Sequence, residues 1–306
     1  MKISIIGAGN VGALTAMRLA QSGLSNIVLI DIAKGMAIGK TLDMEDAQGL
    51  LKSNYAITAS DDISLIRDSN IVIITAGLAR KPGMTREELL IKNSQILKNL
   101  SLNIKEFAPK SIVIVVTNPL DLMTYLVLKI TGFKANKVIG MGVSLDTSRF
   151  ANIISKELNI KVTDVKALVI GSHGEAMLPL PRHSYIKETN LKELLESSKL
   201  EYLLKRTINR GAEIVANLGN GSAFFAPSAA ISEIVNAIFK NEKSIIPACA
   251  YLNGEYGIKD ISIGVPCCIG KEGIEKIVEL KLDQEEKEKL SKSAESIREL
   301  AKKLPI

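Results

Sequence analysis

The first half of the chain alternates short aliphatic and β-branched runs with stretches whose apolar positions recur every three or four residues. The short runs are Lys2 to Ile6, Ile27 to Asp31, Tyr55 to Ala59, Ile71 to Thr75, Ile112 to Val116 and Lys137 to Gly140. Several are apolar almost throughout instead of alternating, so both faces are predicted to be covered. That happens when parallel strands are joined by crossover helices. The pattern predicts a doubly wound parallel sheet over residues 1–142, a complete nucleotide-binding half.

Beyond Gly142 the texture changes. A helical stretch is predicted from Leu145 to Leu158, a strand from Val165 to Ile170, long helices between Leu191 and Lys240, and a strand from Ile261 to Ile269. These elements predict a second domain, an α+β substrate domain over residues 143–306. At the end, Leu290, Ala294, Ile297, Ala301 and Leu304 recur at helical spacing among charged residues, giving a helix with one packed and one wet face. The charge-dense stretch from Asp283 to Lys303 is read as that wet face.

At 306 residues and 46% hydrophobic composition, the chain is long and apolar enough to bury a sizeable core. Its longest apolar runs, such as Ile71 to Ala76, fall far short of the roughly 18 residues needed to cross a bilayer. Met1 to Ser4 runs straight into a glycine motif without an apolar leader, so a cytoplasmic location is expected. Three cysteines, Cys249, Cys267 and Cys268, are too few and too clustered for a disulfide framework, and Cys267 and Cys268 read as small buried strand residues. With only His173 and His183 as histidines, no metal site is expected. The net charge of +6 is spread along the chain without interleaved aromatics, which points away from nucleic acid and toward anionic small molecules.

The first strand runs into Gly7-Ala8-Gly9-Asn10-Val11-Gly12, which opens the first helix. Glycines there allow a tight turn and close approach of the backbone to a pyrophosphate at the helix N-terminus, the fingerprint of a Rossmann dinucleotide site. Asp31 ends the second strand about 20 residues beyond the loop, where its carboxylate can accept ribose hydroxyls and repel a 2′-phosphate. NAD is therefore the expected cofactor, with Lys34 able to offset part of the repulsion toward NADP.

Other segments carry candidate chemistry. Thr75-Ala76-Gly77 ends the fourth strand and leads into the cationic stretch Leu78 to Arg86, a candidate closing loop. Val116-Thr117-Asn118-Pro119 ends the fifth strand, Leu145-Asp146-Thr147-Ser148-Arg149-Phe150 begins a helix, and Gly171-Ser172-His173-Gly174-Glu175 follows a strand. Together they supply an amide, an acid, a guanidinium and an imidazole. These segments, with Met177-Leu178-Pro179-Leu180-Pro181-Arg182, occur in an order and spacing that resemble the lactate and malate dehydrogenase family over essentially the whole chain. The resemblance is closest to the lactate-dehydrogenase-like malate dehydrogenases, the type 3 group.

That resemblance implies a set of roles. His173 would donate and accept the proton, Asp146 would hold its other ring nitrogen, and Arg149 would grip the substrate C1 carboxylate. Arg86 would swing in with the loop to polarise the carbonyl. Asn118 would hydrogen-bond the substrate through a segment whose Asn118–Pro119 bond is cis, while Asn93 and the Val116 backbone would contact NAD. Arg80 stands where lactate enzymes typically carry Gln, so a second carboxylate is expected and the substrates implied are malate and oxaloacetate. Ala223 in Gly221-Ser222-Ala223, where lactate enzymes usually have Thr, points the same way, although packing against a helix explains it equally well. The family also implies a homodimer or homotetramer and a place in the tricarboxylic acid cycle. A lactate or other 2-hydroxy acid dehydrogenase, and a nonenzymatic NAD-binding module, are the alternatives. Glu175 and Ser172 depart from the usual family pattern, which leaves the surroundings of His173 open.

Overall fold

A computed structural model describes residues 1–24, 26–78, 85–219 and 221–306, with Arg86 described in its backbone alone. The first half builds β1 (Lys2–Ile6), α1 (Asn10–Gln21), β2 (Asn26–Ile30), α2 (Lys34–Leu51), β3 (Ala56–Ser60), β4 (Ile71–Ile74), α3 (Arg86–Phe107), β5 (Ile112–Val115), α4 (Leu120–Thr131) and β6 (Val138–Gly140). The strands lie in the order β3-β2-β1-β4-β5-β6 and all pair in parallel. Successive strands are added to one side from β1 to β3 and to the other from β4 on, so the strand order switches between β1 and β4 and a crevice opens there at the carboxyl ends of the strands. Every residue of β4 and β5 is buried, as expected for strands covered by helices on both faces.

The second half contributes α5 (Val143–Leu158), β7 (Val165–Lys166), β8 (Val169–Gly171), β9 (Met177–Pro179), β10 (Tyr185–Ile186), β11 (Thr189–Asn190), α6 (Leu191–Leu194), α7 (Ser197–Leu218), α8 (Phe225–Lys240), β12 (Ser244–Asn253), β13 (Lys259–Gly270), β14 (Gly273–Ile277) and α9 (Gln284–Ala301). The α/β expectation holds, but the sheet does not stop at β6. Gly140 pairs with Cys249 of β12, and the antiparallel β12–β13 hairpin extends the same sheet toward β8 and β9. One apolar core accordingly runs through both halves, while a smaller one gathers Val143, Phe150, Ile153, Ile154 and Leu203 around α5 and α7.

Several expectations need correction. The single strand expected from Val165 to Ile170 is two short strands in different sheets, β7 and β8. The strand expected at Ile261 to Ile269 is the longer β13, and its partner β12 had not been expected. Pro247 lies opposite Pro266 of β13, past the single residue at which β6 reaches β12. Cys267 is buried but Cys268 is only partly so, since successive residues of a strand face opposite sides. Ser222 and Ala223 lie before α8, outside any helix. The terminal helix α9 forms as expected, with Leu290, Ala294 and Ile297 buried.

Candidate active site

The cofactor end is built by β1 and α1. Gly7 has a φ of +110°, and a Cβ there would lie 2.6 Å from the Ala76 nitrogen. A Cβ on Gly12 would sit 1.8 Å from the Gly7 oxygen, so only glycine lets α1 pack this closely on the loop. Gly9 is the N-cap of α1, offers no side chain to its first-turn amides, and has nothing within 4 Å of the position a Cβ would take. Open space above uncapped amides at a helix N-terminus fits a diphosphate. Thus Gly7, Ala8, Gly9, Asn10, Val11 and Gly12 form one turn.

Asp31 follows β2, and its two oxygens accept from the Ala8 N–H at 2.7 Å and the Ala33 N–H at 2.9 Å. The carboxylate is thereby anchored to the glycine loop and keeps lone pairs for ribose hydroxyls. Lys34 is paired with Asp61 at 3.2 Å. Lys40, reaching from α2, donates to the Ala8 carbonyl at 2.8 Å and ties the same turn from another side.

Side-chain bonds join the strand ends around this crevice. The Thr75 hydroxyl donates to the Gly7 carbonyl at 2.9 Å, and the Thr117 hydroxyl donates to Ala76 at 2.6 Å. Asn93 on α3 is fully buried: its oxygen accepts from the Leu78 N–H at 2.8 Å and its amide nitrogen donates to the Asn118 carbonyl at 2.7 Å. Asn93 therefore spans the chain on either side of the crevice. The Val116 N–H donates to Ile74 at 3.0 Å, Asn118 is exposed, and the Asn118–Pro119 bond is cis. Thr85 caps α3 in a reciprocal pair with Glu88, which fixes Arg86 as the first residue of the helix. Arg80, and the side chain of Arg86, lie outside the described residues.

The chemical centre joins α5 to the turn after β8. Asp146 and Arg149, three residues apart, share one face of α5. Asp146 is fully buried; one oxygen lies 2.6 Å from His173 Nδ1 and the other accepts from Arg149 Nη1 at 3.2 Å. Burial works against the charged form of His173, but the carboxylates of Asp146 and Asp121 outweigh it, and the pKa is raised above its ordinary value. Arg149, with a side chain 12% exposed, has its pKa lowered by burial and by Arg210 against the pull of Asp146. Its Nε is buried and has no acceptor among the described residues. A guanidinium so placed has capacity left for an anion.

Several neighbours were not foreseen. Asp121, in the first turn of α4, accepts from the His173 main chain and the Ser172 hydroxyl. Its signal in the sequence is an acid inside the otherwise apolar run Leu120 to Leu128, with only Thr124 and Tyr125 also polar. Gly211 on α7 faces Arg149, where a Cβ would lie 3.5 Å from Nη1. Arg182, part of the recognised motif, lies 3.2 Å from Glu286 and 3.3 Å from Asp283, a latch onto α9. Among the described residues no cluster of His, Cys, Asp or Glu could hold a metal ion, and no helix is long and apolar enough to cross a membrane.

Comparison with known proteins gives the family. Residues 1–140 match the family model for the lactate/malate dehydrogenase NAD binding domain, and residues 143–304 match that for the lactate/malate dehydrogenase α/β C-terminal domain. The chain is 50% identical over 305 residues to a malate dehydrogenase of Methanosarcina barkeri, covering 100% of this chain and 99% of that protein. Among solved structures, malate dehydrogenase from Cryptosporidium parvum superposes with a TM-score of 0.96 at 39% identity, covering 99% of this chain and 98% of that one. A lactate dehydrogenase from the same organism, complexed with lactic acid and NAD, superposes with a TM-score of 0.95 at 35% identity, covering 99% and 97%. The chain belongs to the lactate/malate dehydrogenase family.

Proposed function

We propose that this chain is an NAD-dependent malate dehydrogenase that interconverts (S)-malate and oxaloacetate. The observation that carries the site assignment is the Asp146 carboxylate joining a protonatable imidazole to a buried guanidinium with an unsatisfied nitrogen. Full-length similarity to malate dehydrogenases supports the substrate. In this reading residues 1–142 bind the cofactor and 143–306 carry the substrate chemistry.

The glycine loop would hold the pyrophosphate and Asp31 the ribose hydroxyls, the Val116 backbone and Asn118 would meet the cofactor, and Asn118, tied through its carbonyl to Asn93, would also hydrogen-bond the substrate. NAD, when bound, supplies or accepts the hydride. His173 does the proton work: Nδ1 faces Asp146, so Nε2 gives its proton to the oxaloacetate oxygen during reduction and takes it back during oxidation. Arg149 grips the C1 carboxylate bidentately and orients the reacting carbon. Arg86 polarises the carbonyl from the closing loop, and Arg80 pairs with the second carboxylate.

Incubating the protein with NADH and either oxaloacetate or pyruvate at equal concentration, and following loss of NADH absorbance, tests the reading. Faster turnover of pyruvate overturns the substrate assignment.

A homodimer or homotetramer acting in the cytoplasm, within the tricarboxylic acid cycle, completes the proposal. Its interface support is apolar exposure around α2, with Ile32 99% and Leu50 89% exposed. Light scattering after gel filtration tests the assembly, and a monomer at micromolar concentration overturns it.

A further inference from the structure

A second carboxylate reaches His173 by a route the mechanism above does not use. Asp121 is 4% exposed, and its Oδ2 accepts two hydrogen bonds of 2.8 Å, one from the His173 N–H and one from the Ser172 hydroxyl. Its Oδ1 is buried without a partner among the described residues. The neighbouring group is the buried Cys249 thiol, whose pKa is pushed well above its usual value by burial and by the Asp121 charge, so it stays neutral. Burial raises the Asp121 pKa above the ordinary carboxylate value, and the charge of His173 and the hydrogen bonds to Asp121 oppose that rise, because burying a carboxylate is unfavourable unless its charge is used or compensated. The cation whose charge acts on it is the imidazolium of His173.

The local backbone explains why such a support is needed. His173 lies in a turn between Gly171, φ +86°, and Gly174, φ +124°, outside any helix or strand. The Ser172 N–H donates to Ser293 Oγ on α9 at 2.9 Å, and Ser293 donates to Ala176 at 3.0 Å, so the turn is held from one side by α9 and from the other by α4. Charged groups facing His173 are Asp146 and Arg149 from α5 and Asp121 from α4; α9 offers the neutral Ser293, and Glu175 in the turn itself is exposed.

We propose that Asp121 is a positioning residue for His173: it clamps the Ser172–His173 backbone to α4 and places a second buried negative charge beside the imidazolium. The inference rests on His173 being the proton donor. Asp146 fixes the ring, and Asp121 fixes the backbone that carries it.

The test uses the whole protein with NADH and oxaloacetate from about pH 5 to 9. D121N can keep the two hydrogen bonds while losing the charge. It is expected to bind NADH as the parent does and to keep KM for oxaloacetate within about threefold. Its kcat should fall about tenfold or more, and the alkaline limb of kcat/KM should move at least about half a unit toward lower pH. S172A, which removes one hydrogen bond and leaves the charge, is expected to lose about threefold in kcat without moving that limb. A D121N profile superimposable on the parent's overturns the proposal, as does a loss of activity that only tracks lost NADH binding. If D121N does not fold, S172A decides, and an unchanged kcat overturns it. H173N separates the two levels: retained activity there removes the assignment of His173 itself, whereas an inactive H173N beside an unaltered D121N removes only the role of Asp121.

Discussion

His173 Nδ1 lies 2.6 Å from Asp146 Oδ2, and the second oxygen of the same carboxylate holds Arg149 at 3.2 Å. One fully buried acid thus orients both the proton donor and the substrate anchor, and it does so from a single face of α5. The pairing leaves Nε2 of the ring as the atom available to substrate. Burial alone would drive the imidazole to its neutral form, and the carboxylates reverse that direction.

Asp146→Asn removes the larger of the two carboxylate charges that raise the His173 pKa. Reduction of oxaloacetate needs the imidazolium, so its kcat/KM falls as pH rises through that pKa, whereas malate oxidation needs the neutral ring and gains through the same range. In D146N the reduction limb moves toward lower pH and kcat drops by about 10²- to 10⁴-fold. Steady-state profiles in both directions check this, and an unmoved limb contradicts the charge argument.

Arg149→Lys keeps a positive charge but loses the fork that matches a carboxylate. Losing one charged hydrogen bond, about 1.5–3 kcal/mol, raises KM for oxaloacetate by about 10- to 150-fold. NADH affinity measured by fluorescence is expected to stay within about twofold, because Arg149 lies at the substrate end. A large change in NADH affinity with unchanged KM would place Arg149 elsewhere.

Gly12→Ala puts a methyl group where the Gly7 carbonyl oxygen lies 1.8 Å away. The loop must open to admit it, so NADH binding weakens by about tenfold or more and the melting temperature falls. Calorimetric titration and thermal unfolding read both effects. Parent-like NADH affinity in G12A would mean that the loop does not cradle the cofactor.

Arg80→Gln tests the second carboxylate grip. The ratio of kcat/KM for oxaloacetate over pyruvate is expected to fall by about 10- to 150-fold, the value of one charged hydrogen bond. An unchanged ratio assigns recognition of the second carboxylate to another residue.

Residues close in sequence were the legible ones. The six strands of the first half match their expected bounds to within one residue at each end, because continuous apolar runs and glycine punctuation act over short range. Asp146 and Arg149 could be placed on one helix face from spacing alone. Asp121 was not legible as a neighbour of His173, since 52 residues separate them and the chain alone does not say which helix the turn after β8 meets.

Sequence by itself determined the parallel nucleotide-binding half and the glycine turn, because propensity and periodicity are local properties; the roles of the imidazole, acid and guanidinium came from the resemblance to a known family. Tertiary structure alone decided that β12 and β13 continue the first sheet through Gly140 and Cys249. It also decided that Asp146, Asp121 and His173 meet in one buried place. Such meetings depend on which surfaces are excluded from water together, and that is a property of the whole packed chain, not of any segment within it.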